Sequence, residues 1–252
     1  MQVQFDRIQK TYQSPNGEIP ALQDISFTVD EGAFVSIVGP SGCGKSTLLN
    51  ILAGLEQPSS GCVLLDRQPV EGICPAVGYM PQKDQLLPWR TIWGNVTLGL
   101  ELRGEKDPPH LERVRTLLNR YGLGEFEKKL PGQLSGGMRQ RCALIRTLAT
   151  DPGLLLLDEP FSALDYQTRL AVSDDIHRII RQEGKTALLV THDIAEAVSM
   201  SHHVVVLSHR PGSVKSMHDL SALDGLSPME RRDHPDFRRY FNAVWKELDH
   251  GA

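Results

Sequence analysis

The segment Gly39-Pro40-Ser41-Gly42-Cys43-Gly44-Lys45-Ser46-Thr47 constrains this chain more than any other. It fits the pattern G-x-x-x-x-G-K-[ST] without a mismatch. An apolar run, Phe34 to Val38, precedes it, and a helix-like run, Leu48 to Leu52, follows it. Glycines let backbone N–H groups close around phosphate oxygens, and a helix start adds positive partial charge. Lys45 can then reach the β- and γ-phosphates of a nucleotide, and the Ser46 hydroxyl can ligate Mg²⁺. The plain alternative is a glycine-rich turn before an ordinary helix; Lys-Ser-Thr in register behind a strand argues against it.

Such a loop needs a sheet to stand on. Phe34–Val38, Leu154–Leu157, Ala187–Val190 and Val204–Leu207 are nearly all apolar, as strands buried on both faces of a parallel sheet are. A doubly wound α/β core is the expected fold class. Ahead of it, Val3 and Phe5, then Ile25, Phe27 and Val29, alternate with polar residues as half-buried strands do, with Asn16-Gly17 as a turn between them. Lys83 to Thr150 reads as a helical insertion. Leu111, Val114, Leu118 and Tyr121 keep one helical period there, and Met138, Cys142, Ile145 and Ala149 a second. After Pro211-Gly212 the core pattern stops. From Asp233, Phe237, Tyr240, Phe241, Val244, Trp245 and Leu248 share one helical face. The expected organisation is a domain over 1–212, with its insertion at about 83–150, and a tail over 213–252 carrying an amphipathic helix.

At 252 residues and 40% hydrophobic, the chain can build one large core or two small domains, and its composition is that of a folded rather than a disordered chain. Its 27 basic and 31 acidic residues leave a net charge of −4, without the basic excess that nucleic-acid binding favours. Met1-Gln-Val-Gln-Phe-Asp6 has neither the basic nor the apolar region of a signal peptide. The longest apolar runs fall far below the roughly 18–20 residues of a membrane span, so any membrane role requires a partner. The four cysteines, at 43, 62, 74 and 142, form no C-x-x-C pair, and reduced thiols are expected. Modification of Cys43, inside the loop, is expected to obstruct nucleotide.

Ligands of open parallel sheets bind outside the carboxyl ends of the strands. Phe34–Val38 ends in the phosphate loop, Leu154–Leu157 in Asp158-Glu159, and Ala187–Val190 in Thr191-His192. Parallel strands would gather all three around one triphosphate. Asp158 is suited to hold Mg²⁺, Glu159 to polarise an attacking water as general base, and His192 to hydrogen-bond the γ-phosphate. Leu134-Ser135-Gly136-Gly137 precedes a second helix start, which Ser135 can cap while the glycines expose backbone N–H groups.

Taken together, the phosphate loop, Gln82, Leu134-Ser-Gly-Gly-Met-Arg-Gln-Arg141, Leu154-Leu-Leu-Leu-Asp-Glu-Pro160, Ser162-Ala-Leu-Asp165 and Thr191-His-Asp193 resemble, in order and spacing, an ATP-binding cassette ATPase over about residues 1–212. The resemblance implies a P-loop NTPase (RecA-like) α/β core with an N-terminal antiparallel β subdomain and an inserted α-helical signature subdomain. It implies ATP and Mg²⁺ as cofactors. Tyr12 would stack on adenine, and Gly39 to Thr47 would hold the phosphates. Ser46, Gln82 and Asp158 would serve the metal, and Glu159, His192 and Gln82 the hydrolysis. Ser135, Gly136 and Gly137 would clasp ATP on a second subunit, and Asp165 would communicate across that dimer. Met138 departs from the Gln usual at the fifth signature position, which removes a side-chain contact.

The partners implied are a similar cassette subunit, as homodimer or heterodimer, and integral membrane permease subunits docking near 83–96, where Leu86, Leu87, Trp89 and Trp93 are candidates for either core or docking surface. A solute-binding protein would be an indirect partner, and the cytoplasmic face of the cell membrane the location. Leu86-Leu-Pro-Trp89, Ser208-His-Arg-Pro-Gly212 and His234-Pro-Asp-Phe237 resemble the nitrate/sulfonate/taurine importer subfamily. Bicarbonate and pyrimidine-like precursors are other solutes to weigh. A non-transport cassette protein acting on nucleic acid or ribosomes is the rival, but such proteins usually carry coiled-coil insertions or two cassettes. A small-molecule kinase would explain the loop but not Leu134-Ser-Gly-Gly137.

Overall fold

The computed structural model describes residues 1–15 and 17–249; Asn16, half of the expected Asn16-Gly17 turn, lies outside them. The chain begins with strands β1 (Val3–Ser14), β2 (Gly17–Val29) and β3 (Phe34–Val38), then helix α1 (Lys45–Leu52). Strands β4 (Ser60–Leu65), β5 (Gln68–Pro69) and β6 (Val77–Met80) lead into the helices α2 (Ile92–Val96), α3 (Leu98–Arg103), α4 (Pro108–Arg120) and α5 (Gly136–Leu148). Then come β7 (Leu154–Asp158), α6 (Tyr166–Gln182), β8 (Thr186–Val190), α7 (Ile194–Met200), β9 (His203–Leu207), β10 (Val214–Asp219), α8 (Pro228–Asp233) and α9 (Pro235–Asp249).

Two sheets result, one ordered β2-β1-β4-β5 and one ordered β10-β9-β3-β8-β7-β6. The first is antiparallel throughout. In the second, β9, β3, β8, β7 and β6 run parallel, and β10 alone is antiparallel. The apolar runs owe their composition to this arrangement. On β7, Leu154 and Leu156 face the core shared with the antiparallel sheet, and Leu155 and Leu157 face the core shared with the helices. On β8, Leu188 and Val190 divide from Ala187 and Leu189 in the same way. Strands with two dry faces favour apolar residues, the buried Ser36 of β3 being accepted through its hydrogen bond with Ser201, and burying each leucine contributes about 1.5–3 kcal/mol.

The helices α2 to α5 occupy the middle of the chain with no strand among the described residues, as periodicity predicts. In the tail, however, Val214–Asp219 continues the six-stranded sheet beyond Gly212. As an edge strand it alternates half-buried Val214, Ser216 and His218 with exposed residues, so no apolar run reveals it. Helix α9 packs on its own chain: Val244 is fully buried, with Phe237, Tyr240, Phe241 and Leu248 around it. Helix α1 starts at Lys45 rather than Leu48, because its first turn is the polar Lys-Ser-Thr that hydrophobic periodicity cannot register. No described helix is long and apolar enough to cross a membrane.

Candidate nucleotide site

The loop between β3 and α1 is shaped by its backbone. Gly44 adopts φ 100°, and a Cβ there would stand 2.5 Å from Leu22 Cδ2 and 3.0 Å from the Ala21 carbonyl, so glycine is required. Lys45 curls back over the loop, its Nζ donating to the Gly39 and Pro40 carbonyls at 2.7 and 3.0 Å. Cys43 departs from expectation. Its side chain is 1% exposed and packs in the core between the sheets, and burial pushes its thiol up. Cys43 therefore does not line the cavity over the loop, and its modification is opposed by burial.

A cavity of 580 Å³ opens over the loop, lined by Ser41, Gly42, Gly44, Lys45, Ser46, Thr47, Tyr12, Ala21, Glu159, His192 and Arg210. Tyr12, half-buried on β1, donates to Glu56 Oε2 at 3.0 Å and shares a 3.1 Å hydrogen bond with Thr47 Oγ1, which ties it to the start of α1. Lys10 Nζ sits 5.1 Å from its ring centroid.

The end of β7 supplies the acids and the end of β8 the histidine. Asp158 pairs in register with Val190, and Glu159 N donates to the Val190 carbonyl at 2.8 Å. Asp158 Oδ2 accepts from the Tyr79 hydroxyl at 2.9 Å. Burial, and then the neighbouring Glu159 charge, push the Asp158 carboxyl above its usual range, against the Tyr79 hydrogen bond and Lys45, which lower it. Tyr79 is raised by its own burial and by the Asp158 charge. Glu159 holds φ 44°, unusual for a residue with a side chain. Its Oε2 is shared by Gln82 Nε2 at 3.2 Å and His192 Nδ1 at 3.0 Å, and Gln82 also donates to Ser162 Oγ at 3.3 Å. The helix beyond His192 fixes it in turn. Asp193 caps α7, accepting from Ala195 N at 2.8 Å and Glu196 N at 3.2 Å, and takes Arg169 Nη1 at 3.2 Å.

Ser46, Gln82 and Asp158 offer only oxygen donors toward a metal. No group of three His, Cys, Asp or Glu that could hold a metal occurs among the described residues. This fits Mg²⁺, which keeps several waters and binds through one or two protein groups plus phosphate oxygens.

The remaining expected residues lie elsewhere. Ser135 caps α5, accepting from Met138 N at 3.3 Å, and Asp165 caps α6, accepting from Thr168 N at 3.1 Å. Ser135, Gly136 and Asp165 line a separate 450 Å³ recess with Lys83, Asp84 and Arg139, and it shares no lining residue with the first cavity. Gly137 is buried. A Cβ there would meet Val172 Cγ2 at 2.6 Å, so its glycine lets α5 approach α6. Met138 packs against the helical core, which accounts for an apolar residue at that position.

Three contributors escape sequence reasoning. Tyr79 lies on a short strand with no motif of its own. Arg210 is brought in by the β9–β10 connection. Asn95, fully buried, accepts from Leu87 N at 2.7 Å and donates to the carbonyls of Leu87, Arg90 and Thr91 at 3.0–3.1 Å. It thereby fixes the Leu86–Thr91 loop: Leu86 is core, Trp93 lies under Arg115 at 5.0 Å, and Trp89 stands 74% exposed. An Asn amid apolar residues is the signal that could have found it.

A strand, a glycine loop, a helix and acids at the neighbouring strand ends define a P-loop nucleoside triphosphatase. A family profile described as ABC transporter matches residues 22–162. An uncharacterized ABC transporter ATP-binding protein of Bacillus subtilis, YtlC, is 44% identical over 97% of this chain and 94% of its own length. The taurine import ATP-binding protein TauB of Yersinia pestis is 48% identical over 77% of this chain and 76% of its own. Among solved structures, the ATP-binding cassette MJ0796, a dimer bound to ADP and Pi, aligns with a TM-score of 0.72 at 32% identity, covering 86% of this chain and 98% of that one. The chain belongs to the ABC transporter family, as an ATP-binding, ATP-hydrolysing subunit.

Proposed function

We propose that this chain energises a membrane importer of a small anionic solute of the sulfonate, taurine or nitrate kind. The observation that carries this reading is the 48% identity to the taurine import ATP-binding protein. The exposed Trp89 beside the Asn95-braced loop supports a permease docking surface near 83–96.

In this reading Tyr12 stacks the base, and the loop N–H groups with Lys45 hold the phosphates. Ser46, Asp158 and Gln82 would hold Mg²⁺, which supplies neutralisation of the phosphate oxygens. Glu159 takes the proton of the attacking water. Gln82 and His192, both on its Oε2, keep that carboxylate oriented, and His192 turns toward the γ-phosphate when nucleotide is bound. Ser135, Gly136 and Asp165 serve the nucleotide of a second subunit; their separation from the phosphate loop and the dimeric state of the MJ0796 cassette support this. ATP closes the pair, and loss of the γ-phosphate contacts opens it.

The test is mild-detergent purification of this chain from its native cells, followed by ATPase assays of the recovered complex with taurine, other alkanesulfonates and nitrate on their binding protein. A stoichiometric integral membrane protein and stimulation by one of these anions are the expected result. Recovery with soluble partners or nucleic acid alone would overturn it.

A further inference from the structure

Arg210, in the Ser208–Gly212 segment, has no role in any of the ATPase motifs, yet it lines the 580 Å³ cavity together with Glu159. The segment that carries it is hydrogen-bonded to β2 beside the phosphate loop. Gly212 N donates to the Ala21 carbonyl at 2.9 Å, and Gln23 N to the Gly212 carbonyl at 2.8 Å. A Cβ on Gly212 would stand 2.0 Å from the Cys43 carbonyl oxygen, so the segment rests directly on the loop. Arg210 Nε donates to the Pro20 carbonyl at 3.1 Å. Pro20 pairs with Thr11 across β1 and β2, and Ile19 with Tyr12, so this anchor holds Arg210 at the Tyr12 end of the cavity.

The anchoring uses Nε alone. The two terminal guanidinium nitrogens make no hydrogen bond or ion pair among the described residues. Lys45 Nζ, by contrast, is engaged by two loop carbonyls. Lys45 and Arg210 are the permanent cations lining the cavity, which must receive a polyanion. A planar fork of free N–H donors, held by its third nitrogen, suits bidentate binding of phosphate oxygens.

We propose that Arg210 binds the nucleotide at its base-proximal phosphate, the α-phosphate, complementing Lys45 at the far end. This rests on the ATP-binding assignment of the same cavity. Because the α-phosphate is common to ATP and ADP, the contact raises affinity for both and leaves the chemical step alone.

Isothermal titration of the full chain with MgATP and MgADP tests this, using Arg210→Ala, Arg210→Lys and, as a control on the cavity, Lys45→Ala. Losing a charge-assisted phosphate contact is expected to weaken both nucleotides about tenfold in Arg210→Ala, with partial recovery in Arg210→Lys. In ATPase assays KM rises while kcat stays. Should Arg210→Ala fail to fold, Arg210→Gln, which keeps an N–H donor without the charge, is read the same way. Unchanged affinity in the Arg210 variants beside a weakened Lys45→Ala overturns the proposal and leaves the cavity's assignment standing. A loss confined to ATP overturns the α-phosphate placement. Unchanged binding in Lys45→Ala as well rejects the cavity itself.

Discussion

Around the phosphate loop, side chains from distant segments hold one another: Tyr79 on Asp158, Gln82 and His192 on Glu159, Tyr12 on Thr47. At the recess beside α5, Ser135 and Asp165 hold only their own helices. Each caps the first turn of its helix, and neither reaches across to the loop. In the proposed reading the first region receives a nucleotide by itself and the second meets the nucleotide of another subunit. That reading expects binding and hydrolysis to separate, the former a property of one chain and the latter of two.

The sharpest test of that division is Glu159→Gln. Hydrolysis is expected to fall by roughly 10²–10⁴-fold, the usual worth of a general base, while equilibrium ATP binding persists. Near-normal turnover would remove Glu159 from the role. Ser135→Asp probes the other region. Aspartate caps a helix as well as serine, so thermal stability should hold, but its charge would face a neighbour's γ-phosphate. Steady-state ATPase should drop by at least about tenfold with the affinity of the isolated chain for ATP intact. Equal damage to both would merge the two regions into one site.

Tyr79→Phe is a smaller perturbation, expected to cost about 1 kcal/mol of stability. The Tyr79 hydrogen bond lowers the Asp158 pKa, so its removal makes the carboxylate harder to ionise. The acid limb of the Mg²⁺-ATPase pH profile should move to higher pH; a limb that stays put would detach Asp158 from activity.

A pH effect on stability alone, without bearing on activity, lies outside both regions. Burial, with Arg231 and Arg181 nearby, holds His177 down at about 3 from an ordinary 6.5. Below pH 6.5 the unfolded chain takes a proton that the folded chain refuses until about 3, so stability is lost as pH falls across that window. In urea titrations at several pH values, His177→Gln should show a shallower decline there than the parent. Identical slopes would mean that His177 does not govern it.

The same contrast explains what could be read before any coordinates. The loop, Asp158-Glu159 and Thr191-His192 were legible because they terminate strands with two dry faces, and an apolar run ending in a polar pair marks a sheet edge. Ser135 was legible as a cap. Strand β10 was not, since an edge strand with one wet face alternates like many tails. Tyr79, Asn95 and Arg210 were hidden because their partners are set by tertiary folding rather than spacing. The docking loop fell between: its apolar residues were evident, but only the Asn95 bonds divide core Leu86 from exposed Trp89.

The order of the large sheet also sets a clock. β3, which carries the phosphate loop, lies between β8 and β9, and Gly32 just before it is hydrogen-bonded to Thr186, 154 positions later. At synthesis rates of about 5–20 residues per second, the loop waits roughly 10–30 s on the ribosome before its flanking strands exist. A nascent chain therefore carries the full phosphate-loop sequence long before it carries the platform that shapes it. That platform is complete only once β9, ending at Leu207, has been made.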